Sequence, residues 1–337
     1  MTMGSNHLTE KVIPPPPANS ASPMFMQTLG QILYSVILPV FIIIGVGWLL
    51  DRKFQLDLPT LSKLNFYVFV PALMFVMLLE EKITARELLT VGVFSLAHFV
   101  LLFALAWGLF LHRRLRDRQT VMTLGTVLYN CGNFGIPLVL LAFPHSQSAM
   151  GVLVIIIMVQ NFVTFTAGVW LMERQARSAG SALANMLKMP TIYAIVLALL
   201  MRWQGWELPK ELLVLNDPDG RPGVINYLAN GLIGIALITL GVQLSRARLS
   251  KALGPVAAVT GLRLFASPLL AAALLPFFHF SREMAAILVV AAGFPVAVNL
   301  TILSAEYRQH EDLASQSIFI STLLSAVTLA VLLAVLR

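Results

Sequence analysis

Cysteine and charge are both scarce in this chain of 337 residues. Its single cysteine, Cys131, excludes an internal disulfide framework and any multi-cysteine metal site. Only 12% of the residues are charged, whereas 58% are hydrophobic, so the chain has too little polar material to coat a soluble domain. We therefore predict an all-α integral membrane protein, because a helix satisfies its own backbone polar groups in lipid.

Motifs for several other kinds of chemistry are also missing. The sequence has no nucleotide-binding loop of the Walker type, and its six histidines lack the spacing of metal ligands. The net charge of +7 comes without a nucleic-acid-binding motif. We accordingly expect no enzymatic activity, no cofactor, no metal site and no nucleic-acid partner.

Ten apolar segments follow a proline-rich start. Residues 1–25 are expected to form a disordered tail, since they hold four consecutive prolines and small polar residues. Each later segment is close to the length that crosses about 30 Å of hydrocarbon. The predicted spans are 30–50, 61–79, 89–111, 120–142, 149–171, 183–203, 224–244, 254–278, 284–304 and 313–336.

The basic residues set the expected orientation. The loops after the odd-numbered spans carry more Lys and Arg than the loops on the other side. Basic loops stay in the cytoplasm, so both termini are expected to be extracytoplasmic.

The ten spans divide into two halves of five, residues 26–172 and 189–337, joined by a cytoplasmic linker at 173–188. An odd number of spans in each half inverts the second half relative to the first. Span four has a Gly/Pro interruption at Gly132–Pro137, and span nine has one at Gly293–Pro295. Paired interruptions at matching positions of two halves indicate a transporter binding site.

The first interruption lies in the sequence Asn-Cys-Gly-Asn-Phe-Gly-Ile-Pro at residues 130–137. Pro137 removes a backbone donor and crowds the carbonyl of Asn133, so we expect it to break the helix. The freed N–H groups and the positive helix end could hold a carboxylate, with amide donors from Asn130, Asn133 and Asn299. The other reading of these amides is that they only satisfy freed backbone groups or join helices.

Further residues are candidates for the site or its surroundings. Gly132, Pro137 and Pro295 are expected to shape the opening. Arg263 either supplies charge to the anion or pairs structurally near the cytoplasmic face. Four polar side chains are candidates for lining the site, with helix packing as the alternative, namely Gln160, Asn161, Ser321 and Ser325.

Residues 130–138 resemble the auxin efflux carrier family, whose bacterial members include malate and malonate permeases. The segment from Gly293 to Tyr307 fits the family's second crossover helix. The resemblance implies ten helices in two inverted five-helix repeats, with the broken helices four and nine crossing at their prolines and an organic anion held there. It also implies the plasma membrane, in a bacterium the inner membrane, as the location.

The expected function is therefore secondary active transport, as a permease or exporter, of small organic anions such as mono- or dicarboxylates by alternating access. One alternative is a sodium-coupled symporter of the bile-acid type, although few acidic residues lie near the crossing. Another is a membrane sensor that binds an anion without moving it. The lipid bilayer and the anion are the expected partners, and the sequence permits a homodimer without requiring one.

Overall fold

The structure, a computed structural model, describes residues 21–80, 84–113, 115–144, 146, 148–173, 190–206, 223–247 and 253–336. Most of the predicted tail and nearly all of the predicted linker at 173–188 lie outside these residues. The first described helix begins at Ala21, within the segment that was expected to be disordered.

The described residues form helices and no β-strand. The α-helices are α1 Ala21–Ile32, α2 Leu38–Phe54, α3 Leu58–Leu64, α4 Val70–Glu80, α5 Ala85–Phe110, α6 Gln119–Val127, α7 Ile136–Ala142, α8 Ala149–Val163, α9 Val169–Glu173, α10 Pro190–Gln204, α11 Val224–Ser245, α12 Leu253–Gly261, α13 Ser267–Leu274, α14 Arg282–Ala292, α15 Asn299–Glu306 and α16 Glu311–Leu336. Short 3₁₀ turns occupy Arg116–Arg118 and Leu275–Phe277.

Seven helical rods in the described part of the chain are long and apolar enough to cross a membrane. They correspond to predicted spans one, two, three, five, seven, eight and ten. Spans four and nine coincide with interrupted helices, and part of span six lies outside the described residues. The rods are Phe25–Phe54, Leu58–Leu79, Ala85–Phe110, Ala149–Met172, Val224–Ser245, Leu253–Phe277 and Glu311–Leu336. The protein is thus a multi-pass membrane protein.

Wide π-helical turns carry several of these rods past a proline. The turns Leu33–Ile37, Asn65–Phe69, Cys131–Gly135 and Leu262–Ala266 each end just before a proline in the next helix. In each turn a backbone N–H bonds to the carbonyl five residues earlier. The wider ring relieves the crowding that proline causes in a regular α-helix, so the rod continues.

Pro137 therefore does not break span four, contrary to the expectation from its chemistry alone. The π-turn Cys131–Gly135 and α7 form one apolar helix, Cys131–Ala142, that contains Pro137. The chain leaves the helix earlier, where Leu128 adopts an extended conformation after α6. In span nine the predicted position is right, since α14 ends at Ala292 and Pro295 lies between α14 and α15.

Helices α2 and α11 approach so closely that only glycine fits at their contact. A Cβ atom on Gly241 would lie 2.1 Å from the carbonyl oxygen of Ile44, and one on Gly47 would lie 2.3 Å from that of Ile238. At the ends of the same two helices, Arg246 forms an ion pair with Asp51. The two helices thus form a closely packed pair that can support neighbouring elements.

Candidate functional site

The two helix breaks meet and pair with each other. The N–H of Asn130 donates to the carbonyl of Pro295 at 2.9 Å, and the N–H of Ala297 donates to the carbonyl of Leu128 at 2.9 Å. The residues between these partners form an antiparallel bridge. We call these two paired segments, residues 128–130 and 295–297, the crossover. The pairing satisfies backbone groups that lipid could not.

Aromatic packing brings the two broken helices close together beside the crossover. A Cβ atom on Gly135 would lie 2.5 Å from the ring of Phe294, so a larger residue would push the helices apart. Phe134 packs edge-on against Phe294, with ring centres 6.3 Å apart, and both rings are fully buried. The glycine in the predicted motif is therefore required by close approach.

Side chains complete the hydrogen bonding of the crossover. Ser321 of α16 accepts a hydrogen bond from the N–H of Val296 at 3.0 Å. Gln160 of α8 donates to the carbonyl of Val127, the last residue of α6, at 3.1 Å. Both side chains are buried, so each satisfies a backbone group that would otherwise be costly to bury.

A cavity of about 190 Å³ lies against the crossover. The described residues in its walls are neutral, with amides, hydroxyls and rings but no Lys, Arg, Asp or Glu. It is smaller than the roughly 300–1,000 Å³ typical of pockets for drug-sized ligands, so it suits a small molecule. The lining residues are Phe66, Tyr67, Val70, Tyr129, Asn130, Cys131, Gly132, Asn133, Ile157, Gln160, Asn161, Thr164, Thr191, Ala297, Val298, Asn299, Ile302 and Leu303.

Most of the predicted site residues are brought together at this cavity. Asn130, Gly132, Asn133 and Asn299 line it, as do Gln160 and Asn161 of the predicted lining set. Asn130 is buried, and its Nδ2 has no hydrogen-bond partner among the described residues. An unpaired buried donor is costly unless a ligand or water completes it.

The helix Cys131–Ala142 begins at this cavity. Its first N–H groups, those of Gly132 and Asn133 among them, have no partner within the helix. The second half-helix offers less, because the N–H groups of Leu300 and Thr301 already bond to carbonyls. The backbone donors at this end of the cavity thus come chiefly from the first broken helix.

The other predicted residues lie outside the cavity lining. Pro137 and Pro295 are buried beside it, while Ser321 holds the crossover and Ser325 donates to the carbonyl of Thr322 in its own helix. Arg263 is fully buried. It donates a hydrogen bond to the carbonyl of Thr126, and it is not among the residues that line the cavity. These contacts fit the structural alternatives that the sequence left open for Arg263, Ser321 and Ser325.

Several lining residues were missed from the sequence. Tyr129 directly precedes the predicted motif, and Phe66 and Tyr67 follow Asn65 at the start of span two. Thr191 enters from the start of α10. The position of Tyr129 beside the motif could have indicated it, whereas the others come from distant spans that only the fold brings near.

The described residues hold no group of three or more His, Cys, Asp or Glu side chains that could bind a metal ion. The cavity can accordingly act through hydrogen bonds and helix dipoles. Such donors bind an anion without fixing a full positive charge against it, which permits release.

Comparison with known proteins places this sequence in a family. The sequence profile described as "Membrane transport protein" matches residues 32–185 and again residues 177–333. An "Uncharacterized transporter" of Methanothermobacter thermautotrophicus is 25% identical over 300 residues, covering 87% of this chain and 95% of that protein. A protein of Rhizobium meliloti named "Putative malonate transporter" is 26% identical over 316 residues, covering 90% of this chain and 95% of that protein.

These relatives are transporters, not enzymes, and the profile covers nearly the whole length of the chain. A transporter with membrane-spanning helices has the lipid bilayer and a small-molecule substrate as its partners. The chain belongs to the membrane transport protein family of auxin efflux carriers.

Proposed function

We propose that the protein is a secondary carrier of small carboxylates, held one at a time in the cavity at the crossover. The observation that carries this proposal is the Nδ2 of Asn130, which has no partner among the described residues and lies beside the start of the helix Cys131–Ala142. A carboxylate there accepts hydrogen bonds from the amide and from free backbone N–H groups, next to a positive helix end. The size and neutral walls of the cavity favour a mono- or dicarboxylate such as malonate.

The transport cycle in this proposal is alternating access between two groups of helices. Predicted spans one, two, six and seven form a scaffold, supported by the glycine contact between α2 and α11. The other spans carry the crossover. Lining residues come from both groups, with Phe66, Tyr67 and Thr191 on the scaffold side. A substrate bound between two bodies is released when they move against each other.

The remaining architecture is part of the same proposal. Ten spans form two inverted repeats of five, with the linker at 173–188 between them. The two matches of the family profile, which meet near residues 177–185, support this division. Both termini face away from the cytoplasm, and the protein resides in the plasma membrane, in a bacterium the inner membrane.

Cys131 provides a direct test because it is the only cysteine of the chain and it lines the cavity. Methyl methanethiosulfonate should label the purified protein at Cys131, and intact mass should record the rate. Malonate is expected to slow labelling in a saturable manner, whereas malonamide, the uncharged analogue, is not. Equal rates with and without a panel of small carboxylates would contradict the proposed site.

Transport itself is measured by counterflow of labelled malonate in proteoliposomes. We expect exchange that depends on internal unlabelled carboxylate and that is reduced in Asn130→Ala at substrate concentrations near the wild-type Kd. Protection of Cys131 without counterflow would identify an anion sensor instead. A requirement for Na⁺ would identify a sodium-coupled symporter.

A further inference from the structure

Arg263 carries a positive charge in the interior of the protein, away from the lining of the cavity. It lies in the π-turn Leu262–Ala266 of span eight and is fully buried. Among the described residues no carboxylate lies within ion-pair distance of it. Burying a guanidinium without a counter-charge is very costly, so other groups must stabilise it.

The contacts of Arg263 go to the ends of the two broken helices. Its guanidinium donates to the carbonyl of Thr126, in the last turn of α6, at 2.9 Å. It also donates to the carbonyl of Ala292, the last residue of α14, and to the hydroxyl of Ser267. The last carbonyls of a helix have no partner within that helix. Arg263 thus caps both half-helices that enter the crossover.

The charges balance at these two ends. A helix C-terminus carries the equivalent of about −0.5 charge, so the two ends together present about −1 to a single guanidinium of +1. The negative potential at the C-terminal ends of α6 and α14 is therefore neutralised within the protein. The N-terminal end at Cys131 keeps its positive potential and faces the cavity.

Tyr129 is the residue that touches both Arg263 and the cavity. The guanidinium carbon of Arg263 lies 4.6 Å from the centre of the Tyr129 ring, which is a cation–π contact. Tyr129 lines the cavity, whereas Arg263 does not. Arg263 can therefore influence a bound molecule without touching it, through its charge and through its contacts with this ring and with backbone groups at the crossover.

We propose that Arg263 is a positioning residue, which holds the two half-helix C-termini together and so fixes the crossover, without contacting the substrate. The part of the proposal that concerns substrate affinity rests on the proposed function. The part that concerns the crossover itself stands on the contacts of Arg263 alone, and the two parts are tested separately.

The first test measures how tightly the crossover is held, through the labelling rate of Cys131 in the ligand-free full-length protein. Arg263→Met should speed labelling by methyl methanethiosulfonate at least about tenfold, since charge-assisted hydrogen bonds to two carbonyls are lost. Arg263→Lys keeps the charge but not the planar fork, so it should restore part of the protection. The control is Arg282→Met, which removes an exposed arginine from the start of α14 and should label like the wild type.

An unchanged labelling rate in Arg263→Met would overturn the proposal. If that variant does not yield a folded, monodisperse protein, Arg263→Lys decides alone. If Arg263→Lys labels at the wild-type rate, the hydrogen bonds to the two carbonyls are not needed and the proposal is refuted. A labelling rate between the wild-type rate and ten times that rate supports the proposal.

The second test asks whether Arg263 touches the substrate, using malonate and malonamate, which differ by one carboxylate charge. If Arg263 is a positioning residue, its replacement by Met should weaken the binding of both probes, with a larger effect on malonate because it carries the larger charge. Loss of malonate binding with malonamate bound as tightly as by the wild type would make Arg263 a direct ligand and would overturn the proposal. If the wild type binds neither probe nor any other carboxylate, the proposed function fails, while the labelling result still decides the role of Arg263 at the crossover.

Discussion

Asn130→Ala should separate stability from binding at the crossover cavity. The Nδ2 of Asn130 is buried and has no hydrogen-bond partner among the described residues, so the amide contributes no side-chain donor bond to the fold. Removing an unpaired buried donor relieves a desolvation cost of about 1–3 kcal/mol. The variant should therefore unfold at the same temperature as the wild type or at a higher one.

The affinity of Asn130→Ala for malonate should fall, although its stability does not. A hydrogen bond from the Asn130 amide to a carboxylate is charge-assisted and contributes about 1.5–3 kcal/mol. Since about 1.4 kcal/mol corresponds to a tenfold change, the Kd for malonate should rise about ten- to a hundredfold. Functional groups that bind a ligand commonly cost stability in its absence, which is the pattern expected here.

Asn65→Ala is the matched control, because Asn65 is another asparagine buried within the membrane-spanning part. Its Nδ2 donates to the hydroxyl of Thr239 at 3.1 Å, and it is not among the cavity-lining residues. Its Oδ1 is buried and unpaired among the described residues, so removing the side chain loses one hydrogen bond and also relieves a desolvation cost. The stability of the variant should therefore change by about 1 kcal/mol or less, and the Kd should stay unchanged. Isothermal titration with malonate and thermal unfolding without ligand measure both quantities. The reasoning is refuted if Asn130→Ala lowers stability, or if it leaves the affinity for malonate as unaltered as Asn65→Ala does.

Two further substitutions test the framework around the cavity. Gly241→Ala sets a methyl group against the carbonyl of Ile44 and should destabilise the protein in detergent by about 1–3 kcal/mol; Gly234→Ala, on the same helix with open space around it, should be neutral or stabilising by up to about 1 kcal/mol. Ser321→Ala leaves the buried N–H of Val296 without its acceptor and should lower the free energy of unfolding by about 1–3 kcal/mol. Thermal or denaturant unfolding measures this loss. Equal stability of the two glycine variants, or a Ser321→Ala variant as stable as wild type, would contradict these contacts.

The motif singled out in the sequence lines the cavity, but the sequence did not indicate the correct cause of the helix break. Proline chemistry placed the break at Pro137, whereas the helix passes through Pro137 by means of the π-turn Cys131–Gly135. Pro39, Pro71 and Pro268 are accommodated in the same way. Whether proline ends a helix or widens it depends on what the freed backbone groups can reach, and this is a property of neighbouring helices.

The polar residues around the crossover show the same division. The amides of Asn130, Asn133 and Asn299 were expected at the site, and the structure brings all three to one cavity. Arg263 and Ser321 were also expected near it, but they form hydrogen bonds with backbone groups at or next to the crossover and do not line the cavity. Sequence spacing locates a polar group within a helix, and it does not tell which neighbour that group faces.

The sequence by itself determined that this chain resides in a membrane, because it has long apolar segments and too few charged residues to cover a surface exposed to water. It also determined where helical regularity fails, since asparagine, glycine and proline cluster at two places in otherwise apolar spans. Only the tertiary structure decided that these two places pair with each other, that one arginine caps both, and that a neutral cavity forms beside them. The reason is that backbone groups freed within lipid must bond to whatever lies nearest, and nearness across more than a hundred residues is set by packing.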